Sequence, residues 1–87
     1  MDMLLKPRDE KRYEVAIYFK PDTKRQPIEA LMPVREYRRL LKAMRRAEAV
    51  GTFEFIMDGN VVAEVTFPPR DIDTIHAVPE VIHEPSG

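Results

Sequence analysis

The stretch from Pro33 to Ala49, PVREYRRLLKAMRRAEA, constrains the fold of this chain more than any other. At about 100° per residue, Val34, Tyr37, Leu40, Leu41, Met44 and Ala47 share one arc of a helix. Arg35, Arg38, Arg39, Lys42, Arg45 and Arg46 hold the roughly opposite arc. One side has to be buried, and the other is a ribbon of positive charge. Pro33 suits the first helical position, where its missing N–H costs nothing. Gly51 suits the stop, because it takes the left-handed conformation without strain. Glu36 near the start and Arg45 and Arg46 near the end complement the helix dipole. A helix over 33–49 is about 25 Å long, enough to cover one face of a small sheet.

The sequence on either side reads as strand. Tyr13, Val15, Ile17 and Phe19 alternate with Glu14, Ala16, Tyr18 and Lys20. Pro21 to Pro27 has turn chemistry, and Ile28 to Met32 returns as a short second strand between prolines, as edge strands often do. Phe53 to Met57 and Val61 to Phe67 flank Asp58, Gly59 and Asn60, the strongest hairpin signal in the chain. A three-residue loop pairs Met57 with Val61, Phe55 with Ala63 and Phe53 with Val65, which puts every large apolar side chain on one side. A two-residue turn would set Phe53 against Glu64, so the longer loop is expected, with Asn60 at positive φ. Pro68 and Pro69 end that strand, and Ile72 to Val78 forms a fifth.

The expected fold is therefore α+β: a small antiparallel sheet in β-β-α-β-β-β order with one amphipathic helix packed on one face. Residues 1–12 are expected to be a flexible N-terminal arm, 13–78 the single domain and 79–87 a frayed C-terminal tail. At 87 residues the chain suffices for one domain and its core is thin.

The chain contains no cysteine, which removes disulfides, thiolate ligands and thiol nucleophiles, and a cytoplasmic location is expected. The first residues lack the apolar run of a signal peptide, and no stretch approaches the roughly 20 apolar residues that cross a bilayer, so no membrane partner is expected. The net charge is −1, but it is unevenly spread. Residues 1–50 hold 13 Lys and Arg against 8 Asp and Glu, or +5, and residues 51–87 hold 1 against 7, or −6. Such polarity can be neutralised within the molecule, between copies, or by a partner.

No catalytic or metal-binding set emerges, and neither an enzyme nor a cofactor is expected. The sole serine is Ser86 in the tail, and the glycines at 51, 59 and 87 are too isolated for a phosphate loop. Asp71, Asp73 and His76 form the nearest approach to a site, but Asp73 and His76 point to opposite faces of a strand. His76 and His83 have no reason to meet and read as surface residues.

Two features remain. Along the helix, Arg35 with Arg39, Arg38 with Lys42, and Lys42 with Arg46 are like-charged pairs that together cost on the order of 1 kcal/mol, which an anionic counterpart would offset. On the sheet, the side away from the helix carries Glu14, Ala16, Tyr18, Lys20, Glu54, Ile56, Val62, Glu64 and Thr66. One helix cannot shield both sides. Ala16, Tyr18, Ile56 and Val62 are left as an apolar centre rimmed by charge, the composition of a protein contact surface.

The sequence thus points to a small non-enzymatic protein-binding or regulatory protein. It is expected to act as a homodimer, or on another protein, through the uncovered sheet face or an edge strand. The alternative is a DNA- or RNA-binding protein contacting backbone phosphates through Arg35, Arg38, Arg39, Lys42, Arg45 and Arg46. Against nucleic acid stand a pI near 6.1 and the lack of aromatic residues among the arginines.

Overall fold

In a computed structural model of the chain, residues 11–80 are described. The expected arm lies outside them except for Lys11 and Arg12, and the expected tail except for Pro79 and Glu80. His83 and Ser86 also lie outside the described residues. Strands β1 (Arg12–Phe19), β2 (Ile28–Pro33), β3 (Gly51–Met57), β4 (Val61–Phe67) and β5 (Ile72–Pro79) form one sheet, and α1 (Val34–Arg45) follows β2. The sheet has five strands in the order β4-β3-β2-β1-β5, each antiparallel to its neighbour. The fold is the small α+β arrangement expected, with the helix against one face.

The β3–β4 hairpin has the expected register: Met57 opposes Val61, Phe55 opposes Ala63 and Phe53 opposes Val65. Its three loop residues turn through Gly59 at φ 74° and Asn60 at φ 62°. One expectation about the sheet fails. β2 is not an edge strand but lies at the centre, between β1 and β3. Pro27 precedes it and Pro33 is its last residue, so neither proline interrupts the ladder between them.

The helix is shorter than 33–49. Pro33 stands just before its first turn with extended ψ, and the helix ends at Arg45. Ala47 then takes the left-handed conformation, at φ 52°. The Ala47 N–H donates to the Met44 carbonyl at 3.0 Å and the Glu48 N–H to that of Ala43 at 3.1 Å, the paired bonds of a Schellman stop. Gly51, the expected stop, instead opens β3. A Cβ there would lie 2.7 Å from Cε2 of Phe53 and 3.3 Å from Cγ of Pro69. The glycine therefore answers a need for close packing.

Val15, Ile17, Met32, Leu40, Ala43, Phe53, Phe55, Phe67 and Ile72 form the core. The Phe67 ring is at its centre, with centroids 5.4 Å from Phe53, 5.5 Å from Phe19 and 6.4 Å from Phe55. The buried arc of α1 is rotated from the expected one. Glu36, Leu40 and Ala43 are buried, Val34, Tyr37, Leu41 and Met44 are half-buried, and Ala47 is exposed beyond the helix end. The acid that the sequence placed at the helix start for its dipole is drawn inward because β3 uses it.

Candidate protein-interaction face

Where the helix meets the sheet, two of the six ribbon cations are engaged internally. β2 runs to Pro33 but reaches β3 through one registered pair, Leu31 with Ile56. The edge of β3 beyond that point is completed by helix side chains. The Glu54 N–H donates to Glu36 Oε1 at 2.9 Å, and Arg39 Nη2 donates to the Thr52 carbonyl at 2.6 Å. Arg39 also donates to both Glu36 oxygens, at 3.1 and 3.2 Å, and its guanidinium lies 4.8 Å from the centre of the Phe53 ring. Burial alone would raise the Glu36 pKa. The Arg39 and Glu54 hydrogen bonds, with the charges of Arg39 and Arg35, outweigh it and hold the carboxyl below its usual range. The same carboxylate raises the Arg39 pKa against the effect of burial. Arg35 Nη2 approaches Glu54 Oε1 at 3.4 Å.

The other four cations, Arg38, Lys42, Arg45 and Arg46, are exposed on the side of α1 away from Leu40 and Ala43. They make no ion pair with a described residue. The expected ribbon is thus divided into a pair tied to Glu36 and β3, though each side chain stays more than half exposed, and an outer row without a described ion pair.

The opposite face of the sheet is covered by no described element. Its registered pairs carry one row across all five strands: Val78, Glu14, Leu31, Ile56 and Val62, in the order β5, β1, β2, β3, β4. A second row runs through His76, Ala16 and Glu29. Val62 and Val78 keep 60% and 55% of their surface exposed, and Tyr18 keeps 39%, which is high for apolar side chains in a sheet. Tyr18 stands edge-on to His76, with ring centroids 5.8 Å apart. The structure therefore puts Ala16, Tyr18, Ile56 and Val62 on one face. Only Ile56 and Val62 are direct partners; β2 separates them from Ala16 and Tyr18.

Between them lies an open hollow of about 850 Å³. Ala16, Leu31, Ile56 and Val78 supply its apolar lining, and Glu14, Glu29, Asp58 and Glu80 its carboxylates. Arg12 holds the Glu80 carboxylate of this lining. It donates to both Glu80 oxygens at 2.8 and 2.9 Å and reaches Asn60 Oδ1 at 3.3 Å, tying β5 to the β3–β4 loop. Glu14, Glu29 and Asp58 have no cationic partner among the described residues.

Sequence reasoning missed Leu31, Val78, Glu29 and Asp58 as members of this face. Alternation along β2 and β5 would have assigned Leu31 and Val78 to a side, but only the strand order shows that they flank Glu14 and Ile56.

The residues nearest to a chemical site are dispersed. Asp71 lies 3.5 Å from Arg25, Asp73 accepts a bond from Thr74 at 3.3 Å, and His76 is on the open face. Among the described residues, no three His, Asp or Glu side chains are grouped so as to hold a metal ion, and no helix is long and apolar enough to cross a membrane. Comparison with protein families, with curated proteins and with solved structures finds no match to this chain.

Proposed function

We propose that the protein is a small non-enzymatic binding or regulatory module that acts in the cytoplasm by associating with a second copy of itself through the open sheet face. The observation that carries this reading is the row Val78, Leu31, Ile56 and Val62, interrupted only by Glu14, on a face that no described element covers. Exposed apolar surface of this kind favours burial against a partner at about 25 cal/mol per Å². Edge-strand pairing has less support. A β4–β4 pairing centred on the strand would set Glu64 opposite Glu64, and like charges opposed across strands destabilise.

The test is sedimentation of the wild-type protein and of Ile56→Glu at matched concentrations. Self-association that the substitution abolishes supports the reading. A wild type that remains monomeric at high concentration refutes it.

A second reading, contact with nucleic-acid phosphates, draws support from the outer row Arg38, Lys42, Arg45 and Arg46, which has no described partner. It is weakened because Arg35 and Arg39 are committed to Glu54 and Glu36. Binding to duplex DNA or RNA that falls steeply with salt and disappears on charge reversal at Arg38 and Arg45 would establish it. No binding at low salt would dispose of it.

A further inference from the structure

The two faces of the molecule are complementary in charge and lie on opposite sides of it. The sheet face offers Glu14, Glu29 and Asp58 around an apolar floor, and the outer row of α1 offers Arg38, Lys42, Arg45 and Arg46. None of these seven residues has a described partner of opposite charge. A two-layer fold keeps them apart: the sheet itself stands between the acids and the cations. Among the described residues, the polarity in the sequence is therefore not neutralised within one copy along these two surfaces.

We propose that copies associate head to tail, with the outer row of α1 from one copy seated on the acidic sheet face of the next. This inference rests on reading the sheet face as a protein contact, and it specifies the surface that fills it. A two-fold arrangement would bring the same patch against itself, setting Glu14, Glu29 and Asp58 of one copy near those of the other. A head-to-tail arrangement gives each carboxylate a cation.

The dimensions agree. Arg38, Lys42 and Arg45 follow one stripe of the helix, and seven residues at 1.5 Å each span about 10 Å. Glu14 on β1, Glu29 on β2 and Asp58 at the end of β3 extend over two strand spacings, also about 10 Å. The apolar floor is no obstacle, because the aliphatic stems of arginine and lysine lie well on apolar surface while their charged ends reach a polar rim. The contact would also offset the like-charge pairs along α1, which the single copy leaves exposed. A heterologous contact of this kind propagates, so wild-type protein forms rings or open chains rather than stopping at two copies.

Two charge-removing variants test the geometry. One carries Arg38→Gln and Arg45→Gln and so keeps only its sheet face; the other carries Glu14→Gln and Glu29→Gln and so keeps only its helix face. All four positions are exposed, and circular dichroism of each variant checks its fold. At low salt, sedimentation is expected to show wild-type species that grow with concentration and dissociate as salt is added. Each variant alone is expected to be monomeric, and the equimolar mixture to form a one-to-one complex and nothing larger.

A wild-type dimer that Ile56→Glu disrupts but Arg38→Gln with Arg45→Gln leaves intact overturns the head-to-tail arrangement while preserving the sheet-face reading. A wild type that is monomeric throughout overturns both. Two monomeric variants whose mixture stays monomeric also overturn the head-to-tail arrangement, as does wild-type binding to duplex DNA without self-association.

Discussion

Replacing Glu36 with alanine is expected to cost the fold about 2–3 kcal/mol. The Glu36 side chain accepts the Glu54 N–H beyond the one registered pair of β2 with β3, and Glu36 is only 8% exposed. Without the carboxylate that amide has no acceptor in its place, a loss of about 1.5–3 kcal/mol for a hydrogen bond to a charged group. The Arg39 bonds add little, because the Arg39 side chain is 56% exposed and water replaces its partner; up to about 1 kcal/mol is appropriate. A domain of this size has a total stability of roughly 5–13 kcal/mol, so the change is a substantial part of it. At about 4–8 °C per kcal/mol, Tm falls by about 8–24 °C. Thermal and urea unfolding followed by circular dichroism measure this, with an unchanged urea slope showing that the unfolded state is not what moved. Glu36→Gln, which retains an acceptor for the amide, is expected to lose less, and Arg39→Met about 1 kcal/mol or less. A Glu36→Ala loss below about 1 kcal/mol would refute the claim that this side chain completes the edge of β3.

The same carboxyl gives a pH dependence whose sign is fixed. Its folded pKa lies below the ordinary value of 4.5, so its contribution is complete above that pH and is lost as pH falls through the folded value. Urea midpoints measured from pH 6 downward are expected to fall less in Glu36→Gln than in wild type; equal slopes would contradict the assignment. Ala47 is a non-glycine residue at φ 52°, a conformation that costs an L-residue about 1–2 kcal/mol, so Ala47→Gly is expected to raise Tm by several degrees. Any fall in Tm would count against the Schellman stop. Gly51→Ala pushes a methyl group to within 2.9 Å of two atoms of the buried Phe53 ring and is expected to cost about 1–3 kcal/mol in urea unfolding. Tolerance of alanine there would show that the ring is free to shift.

Much of the fold was legible because local pattern and tertiary demand agreed. The hairpin register followed from requiring Phe53 and Phe55 to share a face with Ala63 and Val65, and slipping by one residue would have buried Glu64. The helix was legible as an amphipathic segment. Its end was not, because Gly51 is the better left-handed residue by local preference and Ala47 adopts that conformation instead. Gly51 answers a packing demand that local preference does not reveal: the Phe53 ring and Pro69 leave no room for a side chain at position 51. Glu36 was misread for a similar reason. Its role comes from the amide of Glu54, 18 residues away, which no periodicity within the helix reveals. The open sheet face was half legible. Alternation gave Ala16, Tyr18, Ile56 and Val62 a common side, but their spacing depended on β2 lying at the centre of the sheet, and its flanking prolines suggested an edge.

The single registered pair between β2 and β3 has a consequence for motion. β1 and β5 share seven registered pairs, and so do β3 and β4, yet one pair joins the two groups through β2. By backbone pairing the sheet is two ribbons joined at Leu31 and Ile56, held together as well by the core they share and by the Glu36 and Arg39 side chains. Amide hydrogen exchange is expected to divide along that seam, the β3–β4 ribbon opening as a unit before the remainder unfolds. Any ligand or neighbouring copy that grips both ribbons at once would slow that opening.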